Sequence, residues 1–437
     1  MRITVIGCGY LGATHAACLA ELGFEVLGVE TDPAKRAALT AGTVPFYEPD
    51  LQELLARHVE GGRLRFTDDY AEAAGFGDVH FVCVGTPQLA EGMGADLSQV
   101  RGAVESLAPH LSHPTLVVGK STVPVGTAPA LARRLVELAP VGERAELAWN
   151  PEFLREGFAV SDTLRPDRLV FGVTSATAEH KLRELYAETL AAGTPAVVTD
   201  FATAELAKVS ANAFLATKIS FINAVAEVCE ATGADVVDLA DSLGHDSRIG
   251  RRFLDAGVGF GGGCLPKDIQ AFVHRAGELG AEGAMSLLSQ VDDINQGRRE
   301  HAVQVASSML DGSLGGARIA VWGAAFKPQT DDVRDSPALW IAGQLHLRGA
   351  EVSVYDPKAN DTARLKFPTL HYTPDAASCA RDADLLLHLT AWPEFAEVDP
   401  AGLRAVVRRP LLLDGGNCLD FEAWRAAGWT VRGLGRR

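Results

Sequence analysis

MRITVIGCGYLG, residues 1–12, decides how the rest of the chain is read. Arg2 to Ile6 is a short run rich in β-branched residues, and glycines follow at 7, 9 and 12. THAACLAELG (14–23) then has the Ala/Leu content of a helix and ends on a glycine. EVLGVE (25–30) reads as a second strand that closes on an acid. The spacing G-x-G-x-x-G between a strand and a helix is a dinucleotide fingerprint. Gly7 permits the tight turn, Gly9 lets a pyrophosphate approach the backbone, and Gly12 lets helix and strand pack closely. Glu30 stands 18 residues past Gly12. A carboxylate there holds ribose hydroxyls and repels a ribose phosphate, which favours NAD over NADP. Taken alone, the six residues also fit a glycine-rich turn in some other α/β protein.

Further strands are expected in VHFVCVG (79–85), TLVVGKST (115–122), ELAWNP (146–151) and DRLVFGV (167–173), with helical sequence between most of them. Strands alternating with helices form a parallel sheet covered on both faces. The strand ends VGTP (84–87) and KSTV (120–123) fall at the carboxyl edge of that sheet, where such folds bind ligands. From Phe201 to Thr232 there is no glycine or proline. One helix of that length runs roughly 45–50 Å and suits a spine or a dimer interface. More helix is expected at 234–243, 266–279 and 285–310. Near residue 317 the alternation resumes with ARIAVWG, PALWIAGQLHLRG, EVSVYD, DADLLLHLT and RPLLLDGGN. The expected fold is α/β: two Rossmann-like, doubly wound parallel-sheet domains (1–200 and 313–437) joined by a helical central domain (201–312) with one long spine helix.

Composition narrows the classes. With 437 residues, 47% hydrophobic and 22% charged, the chain is globular and long enough for two or three domains. A formal charge of −16 argues against nucleic acid or an anionic membrane as partner. The start lacks the layout of a signal peptide, and no run of about 18 uninterrupted apolar residues suggests a membrane span. Seven cysteines in an odd count, with no C-x-x-C pairing, fit reduced thiols in the cytoplasm and no metal.

The segment GFGGGCLPKD (259–268) places Cys264 after four glycines and before Pro266, a residue suited to open a helix. A thiol at a helix N-terminus near Lys267 is expected to ionise more readily. The glycines would let a bulky ligand lie against the main chain. Asp268 follows one turn later. The plain alternative is a glycine loop with an incidental cysteine. Lys208 and Asn212 share a face of the long helix; they are either solvated surface or site residues. Glu152 and Glu156 share a face if NPEFLREG is helical, and are ordinary surface acids otherwise.

The chain resembles the nucleotide-sugar dehydrogenases, the UDP-glucose/GDP-mannose dehydrogenase family, over nearly its whole length. The resemblance rests on GCGYLG, YEPDLQELL, VGTP, STVPVGT, NPEFLREGFAVSDTLRPDR, ELAKVSANAFLATKISFIN, RIGRRFLDAGVGFGGGCLPKD and AFKPQTDDVRDSP. It implies oxidation of a sugar primary alcohol to a carboxylate with two NAD per turnover, most closely with UDP-glucose. Cys264 is then the nucleophile, forming a thiohemiacetal and a thioester. Lys208 and Asn212 stabilise the oxyanion. Asp268, Thr122 and Glu156 position water, and Glu152 lies beside the sugar. For NAD the match implies Gly7, Gly9, Tyr10, Leu11, Gly12, Glu30, Lys35, Gly85, Thr86, Pro87, Ser121, Thr122, Glu156 and Arg334. For the nucleotide sugar it implies Glu152, Phe153, Leu154, Arg155, Glu156, Lys208, Asn212, Arg248, Phe253, Leu254, Gly257, Gly259, Phe260, Gly261, Cys264 and Lys327. Arg248 is expected to reach a neighbouring subunit, making a homodimer.

One departure stands out. The family's D-G-R-N segment reads D-G-G-N here, with Gly416 in place of an arginine. Losing a charged hydrogen bond costs roughly 1.5–3 kcal/mol of binding, so another sugar nucleotide (TDP-glucose, GDP-mannose or a UDP-N-acetylhexosamine) stays open. From other classes come a two-electron hydroxy-acid dehydrogenase, which needs no thiol, and a non-enzymatic NAD sensor.

Overall fold

Apolar strands need cover on both faces, and the chain supplies it twice. The structure, a computed structural model, describes residues 1–436. Its contacts form two compact units, Met1–Ala211 with Gln270–Gly280, and Asn212–Ile269 with Ala281 onward.

The first unit holds β1 (Arg2–Ile6), β2 (Glu25–Val29), β3 (Leu64–Thr67), β4 (Val79–Val82), β5 (Thr115–Gly119), β6 (Ala145–Trp149), β7 (Leu169–Gly172) and β8 (Ala196–Thr199). Their order is β3-β2-β1-β4-β5-β6-β7-β8. Ile6 is paired with Val29 on one side and Val82 on the other. Strand order therefore reverses beside β1, which opens the crevice used by doubly wound sheets. The period of two sends Ile3, Val5, Phe81 and Val118 into one core and Ile6, Leu27, Val82 and Val117 into the other. β3 and β8 were not expected. Both are four residues long, and β8, Ala-Val-Val-Thr at the sheet edge, shows no alternation of apolar and polar residues.

One pair breaks the parallel rule: β6 and β7 run antiparallel. This matters for the site. An antiparallel reversal leaves and re-enters the sheet on the same side, so residues 150–168 stay at the carboxyl edge.

The second unit contains β9 (Arg318–Trp322), β10 (Glu351–Tyr355), β11 (His371–Tyr372), β12 (Leu385–His388), β13 (Leu411–Asp414) and β14 (Thr430–Gly433). All are parallel in the order β11-β10-β9-β12-β13-β14, the same winding as the first six strands of the first unit.

The spine helix is Phe201–Thr232, as read. Helices at Val236–Gly244, Leu265–Glu278 and Glu282–Met309 shift from their expected bounds by a few residues. Leu265 rather than Pro266 opens its helix; proline is tolerated in either place because first-turn amides have no helical partner. By length and composition the spine could cross a membrane. Its Ile222, Ala226 and Cys229 instead pack with Val236, Ala240 and Leu254, as a core helix does.

Candidate active site

In the first unit the three fingerprint glycines have three different surroundings. Gly7 has φ +86°, and a Cβ there would meet Val84 Cγ1 at 2.6 Å. At Gly12 a Cβ would collide with the Gly7 carbonyl oxygen. At Gly9 nothing lies within 4 Å. Gly9 caps the first helix, Tyr10–Glu21, so open space stands before its unpaired amides. Glu30 is buried, and its carboxylate accepts from Cys8 N at 3.2 Å and Asp32 N at 2.9 Å. Glycine cradle and oriented acid together fit a dinucleotide with free ribose hydroxyls. Lys35 is exposed on the next helix. Its neighbour Arg36, which sequence reasoning passed over, donates to the Glu30 carbonyl at 2.9 Å.

The expected strand ends meet. Thr86 Oγ1 donates to Thr122 O at 2.8 Å, and Ser121 Oγ donates to Val84 O at 2.6 Å. Gly85 and Pro87 lie exposed beside them. Behind this junction Lys120 is buried, donating to Asn150 Oδ1 at 3.0 Å. Burial lowers its pKa to about 8.

Residues 150–158 are not helical, so the shared face supposed for Glu152 and Glu156 does not exist. Glu152 pairs with Lys208 at 2.8 Å, and its other oxygen accepts from Leu154 N at 2.7 Å. Lys208 is thus buried rather than solvated surface. The Phe153 ring stacks under Arg168, 3.7 Å from its Cζ. Arg155 is exposed and clasps Asp162 with two bonds. Glu156 is buried.

A residue absent from the expected set anchors this segment. Glu48 is 4% exposed and accepts from Gly157 N at 2.6 Å and Ala159 N at 2.7 Å. It also accepts from the Tyr10 hydroxyl. Burial, and then the Glu48 contact, push the Tyr10 hydroxyl well above its ordinary pKa. One carboxylate thereby ties the fingerprint helix to the backbone that follows Glu156.

In the second unit Cys264 is exposed and its carbonyl accepts from Asp268 N at 2.9 Å, the pattern of a residue capping the helix Leu265–Glu278. Asp268 is buried, paired with Lys267 Nζ at 2.9 Å and accepting from Asn212 Nδ2 at 2.7 Å. Asn212 is therefore also inward, one turn along the spine from Lys208.

The glycines before Cys264 are not vacant, contrary to expectation. A Cβ at Gly261 would strike Asp335 O, and one at Gly262 would lie 2.8 Å from the Phe326 ring. One at Gly263 would strike the Arg334 guanidinium, and one at Gly259 the Asn295 side chain. The missing side chains make room for the protein itself. Asn295 and Arg299, both overlooked in the sequence, clamp Phe260: its N–H donates to Asn295 Oδ1 at 2.7 Å, and its carbonyl accepts from Arg299 Nη2 at 3.0 Å. Phe253 has φ +65°, Leu254 is buried, and Gly257 N donates to Asn223 Oδ1 at 2.8 Å. Lys327 Nζ lies 5.6 Å from the Phe326 ring centroid. Arg248 is bonded to Asp246 of its own turn, with 87% of its side chain exposed.

Family models match the chain in three consecutive pieces. These are the NAD binding domain of the UDP-glucose/GDP-mannose dehydrogenase family at residues 1–190, its central domain at 202–297 and its UDP binding domain at 320–421. The chain belongs to this family. UDP-glucose 6-dehydrogenase TuaD of Bacillus subtilis is 40% identical over all of this chain and 93% of that protein. UDP-glucose 6-dehydrogenase of Rhizobium meliloti is 40% identical over the full length of both. A UDP-glucose dehydrogenase structure from Pyrobaculum islandicum superposes with TM-score 0.91 at 36% identity, covering all of this chain and 98% of that one. The family is one of NAD-dependent oxidoreductases, and the glycine cradle and Glu30 fall within the stretch that matches its NAD binding domain. The UDP binding domain match makes the substrate a sugar nucleotide.

Proposed function

We propose that the chain oxidises the primary alcohol of UDP-glucose to the carboxylate of UDP-glucuronate through a covalent adduct on Cys264. The observation that carries this reading is the exposed Cys264 thiol at a helix N-terminus, with a buried Asp268 held by Asn212 and Lys267. Bound nicotinamide supplies a hydride acceptor. In the first oxidation the alcohol loses its hydroxyl proton and a hydride, giving the aldehyde. The Cys264 sulfur adds to the aldehyde carbon, and the resulting oxyanion takes a proton to become a thiohemiacetal. Loss of the hydroxyl proton and of a second hydride, to a second NAD, gives the thioester, and water releases the acid and restores the thiol.

Lys208 and Asn212, fixed on one rigid helix, stabilise the oxyanions. Asp268, Thr122 and Glu156 position the water, and Glu152 holds Lys208 toward the sugar. Arg334, packed against Gly263, is assigned to the cofactor, and Phe253–Gly261 with Lys327 to the nucleotide. The three-part division 1–200, 201–312 and 313–437 is retained as the domain scheme, in the cytoplasm. A homodimer is supported by Phe214, Phe221 and Val228, exposed apolar residues seven apart on the spine, and by the outward Arg248.

The test is UDP-glucose with purified protein, counting NADH and separating the product by charge. Two NADH and one new carboxylate per sugar are expected, and Cys264→Ser should make no acid. Acid formation by Cys264→Ser removes the covalent route, whereas one NADH per molecule of a hydroxy acid, unchanged by Cys264→Ser, selects a two-electron hydroxy-acid dehydrogenase. No NADH from any sugar nucleotide leaves a sensor. Gly416 favours a second reading, the same chemistry on another sugar nucleotide, and turnover of that compound over UDP-glucose would select it.

A further inference from the structure

The carboxyl ends of β12 and β13 hold a cluster outside the residues assigned above. His388 closes β12 and Asp414 closes β13; they are 2% and 0% exposed. His388 Nδ1 lies 3.0 Å from Asp414 Oδ1. Cys418, beyond the turn Gly415-Gly416-Asn417, brings its sulfur to 3.9 Å from each of those atoms. Nitrogen, oxygen and sulfur donors therefore converge within 4.8 Å of one another.

We propose that His388, Asp414 and Cys418 bind a divalent transition-metal ion of the zinc class. Zinc bonds of about 2.0–2.3 Å at tetrahedral angles put ligand atoms about 3.3–3.6 Å apart. The observed 3.0, 3.9 and 3.9 Å bracket that spacing. One carboxylate and one thiolate neutralise the dication, and imidazole completes a donor set that such ions prefer. The ligands are braced beforehand, as metal sites require. Asp414 Oδ2 accepts from Leu419 N at 2.7 Å, and Oδ1 from Gly416 N at 3.1 Å. The His388 ring stands edge-on to Phe395, centroids 5.5 Å apart at 86°. Cys418 is exposed, which gives an ion its way in and leaves a fourth position for solvent or ligand.

Gly416 decides whether the space is usable. A Cβ there would sit 3.3 Å from Cys418 Sγ and 3.9 Å from Asp414 Oδ1, against two of the three donors. Arginine, which the family's pattern has at this position, would add a cation beside the ion. Glycine leaves the approach clear. The absence of a C-x-x-C spacing led to the expectation of no metal; this site has no such signature because its donors come from two strand ends and a turn. A simple His–Asp pair accounts for the 3.0 Å contact but not for the sulfur equidistant from both atoms. An ordinary cysteine thiol is mostly protonated at neutral pH. Metal binding at neutral pH therefore displaces the thiol proton, forming the metal–sulfur bond and releasing one H⁺.

The test uses the full chain with Cys264→Ser, leaving Cys418 as the exposed thiol while the other five cysteines are buried. Cobalt(II) alone is titrated, with zinc as competitor. One ion per chain, a sulfur-to-cobalt charge-transfer band in the near ultraviolet and release of a proton are expected. Adding Cys418→Ser should abolish the band and weaken binding by at least about 100-fold. Gly416→Arg, which keeps all three donors, should weaken binding comparably, with thermal melts verifying that both variants are folded. No band at stoichiometric cobalt, a band that survives Cys418→Ser, or full affinity in Gly416→Arg would each overturn the proposal.

Discussion

Replacing Glu48 with glutamine keeps its shape and changes its chemistry. The carboxylate accepts two backbone amides, from Gly157 and Ala159, and the Tyr10 hydroxyl, at 4% exposure. Glutamine retains one acceptor oxygen and turns an NH2 toward a donor. One charged hydrogen bond is lost, about 1.5–3 kcal/mol, and one buried N–H is left unmade, about 1–3 kcal/mol. A total near 3–4 kcal/mol lowers the melting temperature of a unit this size by roughly 6–16 °C. Tyr10→Phe removes a single donor while both amides stay bound, so it should cost about 1.5–3 kcal/mol, less than Glu48→Gln. Because the segment after Glu156 is released, kcat should fall in Glu48→Gln, by up to about 100-fold for a displacement near 1 Å. Calorimetry and steady-state kinetics on the wild type and both variants measure this. A melting point for Glu48→Gln within a degree of wild type, with kcat unchanged, would refute the anchoring argument.

Lys120 predicts a pH signature. Its folded pKa of about 8 lies below the unfolded lysine value, near 10.4, so the unfolded chain binds more protons between those limits. Stability should rise with pH through that window, by on the order of 3 kcal/mol, and Lys120→Met should lack the rise. Denaturation profiles that stay parallel count against it. Gly12→Ala puts a methyl into the Gly7 carbonyl, so NAD affinity should drop more than about tenfold with about 1–3 kcal/mol of destabilisation, read by calorimetric titration and melting; wild-type affinity would contradict the close-packing role. Phe221→Asp charges the apolar stripe of the spine and should shift sedimentation toward monomer. An unchanged sedimentation coefficient would move the interface elsewhere.

Local sequence was a good guide wherever local chemistry sets the structure. The β-branched run at Arg2–Ile6, the glycine spacing and the unbroken stretch from Phe201 to Thr232 each specify an element without help from distant residues. β3 and β8 escaped notice because four residues are too few for a strand period to stand out from its surroundings. Glu48 escaped for a different reason. An acid between tyrosine and proline looks like a surface turn, and only its contacts more than a hundred residues away make it a buried acceptor. The same holds for Asn295 and Arg299, ordinary polar positions on a helix until the loop they clamp is in place. The condition attached to Glu152 and Glu156 failed because long-range contacts hold the segment extended: Glu152 turns to Lys208, and Glu48 takes the Gly157 and Ala159 amides.

Four glycines in five residues ordinarily make the softest stretch of a chain. Between residues 259 and 263 each absent side chain is a socket already occupied by Asn295, Asp335, Phe326 or Arg334. The sulfur beyond them consequently inherits its address from four side chains or backbone groups, of which Arg334 alone is also assigned to a ligand. Their substitution should misplace the reactive atom while leaving it chemically intact, so lost turnover in such variants would coexist with an alkylation rate close to that of the parent.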